Sequence, residues 1–196
     1  MNSIKLVTCI ALVISTSGCK TTSNQNNSSI NYVAEGDLAI TNEIGCVPSS
    51  ELNNKLTPPD LYEGMVQCIK DKQYDKGVYL FALAGTYSRY DTYRVADRSS
   101  HQAHSVLAMN ARNKVDESLY NEFFETVKVT LTKPEGLKGA CDQIKNIGLP
   151  DYYPTYMIQH GMGAFSADNS GDGLVSEFDS EAAWQSSLNG YLHCDG

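Results

Sequence analysis

Apolar residues recur at helical spacing through most of the chain. The first stripe follows a pair of prolines, and its members are Tyr62, Met65, Val66 and Ile69. Their i, i+3, i+4, i+7 spacing places them on one face of a helix. The next stretch, residues 72–85, is apolar on nearly all sides from Val78 to Ala84. It therefore predicts a central, buried helix.

Shorter apolar stripes predict the remaining helices. They lie at 103–107, 120–131, 137–144 and 184–192, and a further apolar segment at 156–165 precedes an acidic loop. Pro134 and Pro150 separate neighbouring stripes. Strand signals are scarce, because only residues 128–132 alternate. The pattern predicts an all-α fold: a compact bundle of six or seven helices that ends in a helix-loop-helix.

The first two helical stretches, residues 57–85, resemble a single tetratricopeptide-like hairpin. Tyr74, Gly77, Phe81 and Ala84 lie near the packing positions of that motif. A solenoid stacks several such units, and no second copy is recognisable here. The resemblance therefore implies one packed helical pair.

The N-terminus has the pattern of a secretory signal. Lys5 precedes an apolar run over residues 6–14, which is too short to span a bilayer. Small residues follow and lead directly to Cys19, which resembles the lipobox of bacterial lipoproteins. The resemblance implies cleavage before Cys19 and lipid on its sulfur; an ordinary cleaved signal is the alternative. Lys20, where Asp would signal inner-membrane retention, implies the periplasmic face of the outer membrane.

Three regions are predicted along the chain. Residues 1–18 form the lipoprotein signal peptide. Residues 19–45 form a flexible tether, since 20–30 is nearly free of apolar side chains and cannot offset its ordering entropy by burial. Residues 46–196 form a single helical domain.

Four cysteines remain after Cys19: Cys46, Cys68, Cys141 and Cys194. An even number in an oxidising compartment favours two disulfides, with three possible connectivities. We favour Cys46–Cys68 and Cys141–Cys194, because each would tie a loop or chain end to a helix. A zinc site or a nucleophile is less favoured, because no CxxC spacing is present.

Composition excludes several classes of protein. The 196 residues are 41% hydrophobic, which suits one globular domain. Fifteen Lys and Arg stand against twenty-three Asp and Glu, for a net charge of -8. Because no run of basic residues exceeds a pair, nucleic acid is excluded as a partner.

The clearest chemical signal is a twelve-residue acidic loop. Residues 168–179 read D-N-S-G-D-G-L-V-S-E-F-D. Alternate oxygen-bearing side chains can surround one hard cation, while Gly173 takes the sharp turn and Val175 points into the core. The predicted calcium ligands are Asp168, Ser170, Asp172, the Leu174 carbonyl, Ser176 and Asp179.

This loop resembles an EF-hand and, more closely, a dockerin-type calcium loop, since Asp179 stands where most EF-hands carry Glu. The resemblance implies a structural calcium ion of weak to moderate affinity, suited to exported modules. The alternative is an acidic turn whose Asp residues cap the last helix.

Tyrosine and arginine interleave before the predicted third helix. Tyr87, Tyr90, Tyr93 and Arg94 form a candidate partner surface, because Tyr and Arg dominate interface hot spots. The alternative places the rings in the core with their hydroxyls at its edge. His101 and His104 lie three apart, but RSSHQAH is polar and favours a solvated face.

These features favour a non-enzymatic lipoprotein that binds a protein partner in the periplasm. A concrete form is an immunity or inhibitor protein against a toxin or hydrolase, because acidic domains can block basic active sites. One alternative is an envelope calcium-binding or structural protein. A second is an unrecognised hydrolase, which would gather His101, His104, His160 or His193 in a cleft.

Overall fold

A computed structural model of the protein describes residues 33–166 and 171–194. The chain forms seven α-helices in these ranges, and no strand occurs there, so the all-α prediction is confirmed. The helices are α1 Pro58–Lys70, α2 Tyr74–Arg94, α3 Ala103–Asn113, α4 Glu117–Thr132, α5 Pro134–Ile147, α6 Thr155–Ile158 and α7 Ser180–Ser187. Short 3₁₀ helices lie at Ser49–Glu51, Arg98–Gln102 and Met162–Phe165, and a π-helical turn at Leu188–Leu192 follows α7.

Helix α1 begins with a capping box. Thr57 is the N-cap, Pro58 fills the first helical position, and the Asp60 carboxylate accepts the Thr57 amide at 2.9 Å. The predicted apolar stripe is buried: Tyr62, Met65, Val66 and Ile69 are at most 3% exposed. This face packs along α2, so the predicted helical pair is present.

Helix α2 is the centre of the bundle and packs against α1, α3, α4 and α7. The apolar pattern ends at Gly85, but the helix continues to Arg94. Its second half is polar yet buried, because Asp91 and its neighbours bond to side chains from distant segments. Helix α4 covers the other side of α2 and inserts Phe123, which is 0% exposed.

The predicted segment 156–165 is broken in two. Helix α6 ends at Ile158, and the 3₁₀ helix follows at Met162. Gly161, which lies between them, packs against the Asp97 carboxylate; a Cβ on Gly161 would lie 2.3 Å from Asp97 Oδ2. This close approach needs glycine.

Both favoured disulfides are formed. Cys46 and Cys68 are joined at 2.04 Å and connect the segment before α1 to that helix. Cys141 and Cys194 are joined at 2.14 Å and connect α5 to the end of the described chain. Each bond links a loop or chain end to a helix, as the sequence indicated.

The folded part begins earlier than Cys46. The Leu38 amide donates to the Tyr156 carbonyl at 3.2 Å, and the Thr41 amide donates to Asp60 Oδ1 at 2.7 Å. Residues 38–45 therefore lie against α1 and α6, and the predicted end of the tether at residue 45 is too late. The predicted signal peptide, Cys19 and residues 20–32 lie outside the described residues.

In the part of the chain that the structure describes, no helix is both long and apolar enough to cross a membrane.

Candidate functional site

The acidic loop is described from residue 171 onward. Asp168 and Ser170, two of the predicted calcium ligands, lie outside the described residues. Gly173 has φ +75°, a left-handed conformation that agrees with the sharp turn expected there. Asp172 Oδ1 accepts the Leu174 amide at 3.0 Å, which closes the turn.

An antiparallel bridge holds this loop to the end of α2. The Ala96 amide donates to the Gly173 carbonyl at 2.9 Å, and the Val175 amide donates to the Arg94 carbonyl at 2.8 Å. The bridge turns Leu174 toward the core and leaves Val175 41% exposed. The expectation that Val175 points into the core is therefore wrong, and Leu174 packs there.

Asp179 is the N-cap of α7, and its Oδ1 accepts the Ala182 amide at 3.0 Å. This is the capping role given above as the alternative to calcium binding. Asp172 and Asp179 each bond through Oδ1 alone, and Oδ2 of each has no hydrogen bond from a described residue. Carboxylate oxygens of this kind are ligands that calcium prefers. Among the described residues, however, no three His, Cys, Asp or Glu side chains are grouped closely enough to hold a metal.

Negative charge is concentrated at the C-terminal end. No Lys or Arg occurs after Lys145, whereas seven of the Asp and Glu residues do. Four of them are exposed on the loop and on the first turn of α7: Asp172, Glu177, Asp179 and Glu181. We call these four residues the acidic loop face.

The predicted Tyr and Arg surface is largely interior. Tyr87 and Tyr90 are 0% and 3% exposed, so they cannot form a partner surface, and that prediction is wrong for both. The Tyr87 hydroxyl donates to the Gly148 carbonyl at 2.9 Å. Tyr90 packs edge-on against Phe178, with ring centroids 5.5 Å apart. These are the core positions named as the alternative.

Arg94 is also withdrawn from solvent, with its side chain 11% exposed. Its Nε donates to Asp91 Oδ1 at 2.7 Å, and its guanidinium lies over the Tyr152 ring at 4.9 Å. The hydroxyls of Tyr152 and Tyr156 donate to Asp91 Oδ2 at 2.9 and 2.7 Å. Burial raises the pKa of Asp91, while Arg94 and the two hydroxyls favour its ionised form. Asp91 and Arg94 thus form a buried ion pair on α2, and the hydrogen bond from Tyr156 to Asp91 fastens α6 to it.

Tyr93, the remaining residue of the predicted partner surface, lines an open groove of about 760 Å³. The groove lies between the second half of α2, the 3₁₀ helix Arg98–Gln102 and the bridged loop. Its lining residues are Arg89, Thr92, Tyr93, Val95, Ala96, Arg98, His101, Leu174, Val175 and Ser176. We call it the Arg-lined groove.

His101, which lines this groove, and His104, which lies beside it, are half-buried rather than fully solvated. His101 Nε2 lies 3.0 Å from the Val95 carbonyl. His104 Nδ1 lies 3.3 Å from the Tyr62 hydroxyl, and burial lowers the pKa of His104. His104 lines an adjoining cavity of about 520 Å³ that shares Arg89, Thr92 and His101 with the groove.

The other two histidines lie elsewhere. His160 Nδ1 is 2.8 Å from Asp37 Oδ1, and His193 is exposed beside Cys194. Within the described structure, His101 and His104 thus share one cavity, whereas His160 and His193 lie apart from it.

Comparison of the chain with protein-family models, with curated protein sequences and with solved structures gave no match.

Proposed function

We propose that the protein is a periplasmic lipoprotein, anchored at the outer membrane through Cys19, that binds a protein partner as an inhibitor or immunity protein. The partner would be a toxin or hydrolase that acts in the periplasm. The observation that supports this best is the acidic loop face, in a C-terminal region without Lys or Arg. Such a surface complements a basic active-site cleft and accelerates the encounter with it.

The fold would present this face with little loss of freedom on binding. The bridge to Val95 holds one end of the loop, and the Asp179 cap holds the other to α7. Cys141–Cys194 fastens the segment after α7 to α5. A pre-ordered surface loses less entropy on association than a mobile one.

Capture from a periplasmic extract with a cleavable crosslinker tests this proposal. The variant neutralises the acidic loop face by Asp172→Asn, Glu177→Gln, Asp179→Asn and Glu181→Gln. Asn at 179 preserves the helix cap, so the fold should be kept. The matched control removes four exposed charges elsewhere: Glu43→Gln, Glu51→Gln, Asp71→Asn and Glu135→Gln.

We expect one protein to be enriched by the wild type and the control, and to bind the variant at least tenfold more weakly. Its association rate should fall as salt is raised, because exposed charges are screened. The proposal fails if nothing is enriched, or if the variant captures the same protein as well as the wild type.

Membrane attachment has a separate test. Labelled palmitate should be incorporated into the wild type and not into Cys19→Ser. Failure of the wild type to incorporate it would remove the lipid anchor and the outer-membrane location.

The alternative function is an envelope calcium-binding or structural protein, favoured by the left-handed Gly173 and the Oδ2 atoms of Asp172 and Asp179. Isothermal titration should then give a Kd of about 10⁻⁴ to 10⁻³ M for Ca²⁺. Asp172→Ala should abolish the heat, whereas Asp71→Ala, which removes an exposed acid directly after α1, should not. Equal heats from the two variants, or none from the wild type, would exclude this role.

A further inference from the structure

The Arg-lined groove holds two guanidinium groups that have no counter-ion among residues 33–166 and 171–194. Arg89 and Arg98 are exposed, and neither forms an ion pair within the described ranges 33–166 and 171–194. In a chain of net charge -8, acids are plentiful, so two unpaired arginines in one concavity stand out.

The nearest acids in sequence are already engaged. Asp91 is buried and paired with Arg94. Asp97 Oδ1 accepts the Ser99 amide at 2.8 Å, and its Oδ2 accepts the Gly163 amide at 2.7 Å. These bonds hold the pKa of Asp97 below its ordinary value. Its ionised carboxylate is thus occupied by backbone amides beside the groove.

The Arg89 side chain is placed for recognition rather than for packing. The Arg89 guanidinium lies over the Tyr93 ring, 4.9 Å from its centroid. A guanidinium stacked on a ring keeps its N–H edge free for a planar, bidentate acceptor such as a carboxylate. Tyr93 thus orients Arg89 within the groove.

The rest of the lining is mixed. Because the Val95 carbonyl can only accept, His101 Nε2 must carry the proton toward it. His101 Nδ1 has no hydrogen-bond partner among the described residues. Leu174 and Val175 add apolar surface, which suits the aliphatic part of an organic ligand better than a bare inorganic anion.

The walls are fixed before any ligand arrives. The Val95–Leu174 bridge joins two of them, and Asp97 caps the 3₁₀ helix that forms the third. At the far end of the adjoining cavity, Tyr191 lies against the α2 backbone at Gly85, where a Cβ would fall 1.9 Å from its ring. The groove and the adjoining cavity therefore share a wall made of Arg89, Thr92 and His101, and this wall is ordered before binding.

We infer that the Arg-lined groove binds an acidic peptide segment, with one carboxylate on Arg89, another on Arg98 and aliphatic carbons against Tyr93 and Val175. Acids of the chain that lie more than about 8 Å from the groove oppose such a ligand only weakly, because their charges are screened at physiological salt. This site uses basic residues and not the acidic loop face, so it goes beyond the proposed function and can fail independently of it.

Fluorescence anisotropy with labelled hexaglutamate and the whole chain tests the inference at about 0.15 M salt. Arg89→Gln and Arg98→Gln should each weaken binding at least tenfold, since a charge-assisted hydrogen bond contributes enough for that loss. Arg112→Gln removes a positive charge that is also exposed, on α3, and should change binding less than twofold. Unlabelled hexaglutamate should displace the probe, and hexaglutamine should not.

Three outcomes would overturn the inference. The first is that hexaglutamate does not bind. The second is that Arg112→Gln weakens hexaglutamate binding as much as the groove variants do, which would mean a diffuse charge effect. The third is that tripolyphosphate displaces the probe at lower concentration than hexaglutamate, which would assign the groove to phosphate. Thermal melts of the groove variants should match the wild type, because both arginines are exposed. The variant lacking the acidic loop face should keep full hexaglutamate binding.

Discussion

The amide of Thr41 donates a 2.7 Å hydrogen bond to Oδ1 of Asp60, nineteen residues further along the chain. The Asn42 amide shares that oxygen at 2.9 Å, while the Asn42 side chain and the Thr57 amide donate to Oδ2 at 2.9 Å. Asp60 is 0% exposed. Burial acts to raise the pKa of Asp60, but these hydrogen bonds outweigh burial and hold the pKa below its ordinary 3.8. One buried charge thus joins the segment before α1 to the helix.

Asp60→Asn should lower the free energy of unfolding by about 3 kcal/mol at pH 7, because the Asn amide nitrogen cannot accept the three hydrogen bonds that Oδ2 accepts from Thr41, Asn42 and Thr57. The pKa of Asp60 is lower in the folded state than in the unfolded state. Its contribution is therefore full above about pH 4 and is lost as the pH falls through the folded-state value. Urea denaturation followed by circular dichroism at pH 7 and pH 3 should show the difference shrinking in acid.

The control is Asp75→Asn, an exposed acid in the first turn of α2. It should change the free energy of unfolding by less than about 0.5 kcal/mol. Equal effects of the two substitutions would contradict a special role for Asp60.

Tyr156→Phe should destabilise the protein by about 2 kcal/mol, because it removes a 2.7 Å hydrogen bond from the buried Asp91 carboxylate. Tyr153→Phe, in the same segment, is the matched control. The Tyr153 side chain is 51% exposed, and its hydroxyl donates to the Asp172 carbonyl. Thermal melts at pH 7 should separate the two variants by several degrees. Similar melting temperatures would mean that the Asp91 bond contributes little.

Two helical glycines should respond in opposite directions to alanine. At Gly85 a Cβ would meet the Tyr191 ring at 1.9 Å, so Gly85→Ala should cost about 1–3 kcal/mol of stability. At Gly139, in α5, the nearest atom is the Tyr79 hydroxyl oxygen at 3.9 Å. Gly139→Ala should therefore stabilise by about 0.5–1 kcal/mol. Urea midpoints that moved in the same direction would refute the close packing at Gly85.

The two disulfides should differ in their contributions to stability. Cys46–Cys68 spans 22 residues and Cys141–Cys194 spans 53. On the loop-entropy account, replacing each pair by serine should cost about 3 and about 4 kcal/mol, respectively. Urea denaturation of the two double variants measures this order. A larger loss from the shorter loop would show that native contacts around Cys46, rather than chain entropy, dominate.

The helices could be predicted because their signals are local. Apolar residues at helical spacing and flanking prolines define α1, and its four predicted face residues are all buried. The length of α2 could not be obtained in this way. After Gly85 the sequence turns polar, and its burial depends on Tyr152 and Tyr156, more than sixty residues away.

Only part of the candidate site could be predicted from the sequence. Arginine and tyrosine between 87 and 98 lie in the region of the groove, but the apolar pattern, followed only to Gly85, did not show that Tyr87 and Tyr90 face inward while Arg89 and Tyr93 face the groove. His101 appeared solvated because its neighbours are polar, whereas its partner is the Val95 carbonyl beyond the helix end. A helical projection extended to residue 94 would have separated the two faces.

The Val95–Leu174 bridge has a thermodynamic consequence. The same short stretch of main chain is a wall of the Arg-lined groove and the rim of the acidic loop. A ligand on one side that binds one conformation of this stretch more tightly than another would change the affinity for a ligand on the other side. The second ligand would change the affinity for the first by the same factor, since such coupling is reciprocal. An anion in the Arg-lined groove and a cation or basic surface at the loop would then change each other's affinity without direct contact.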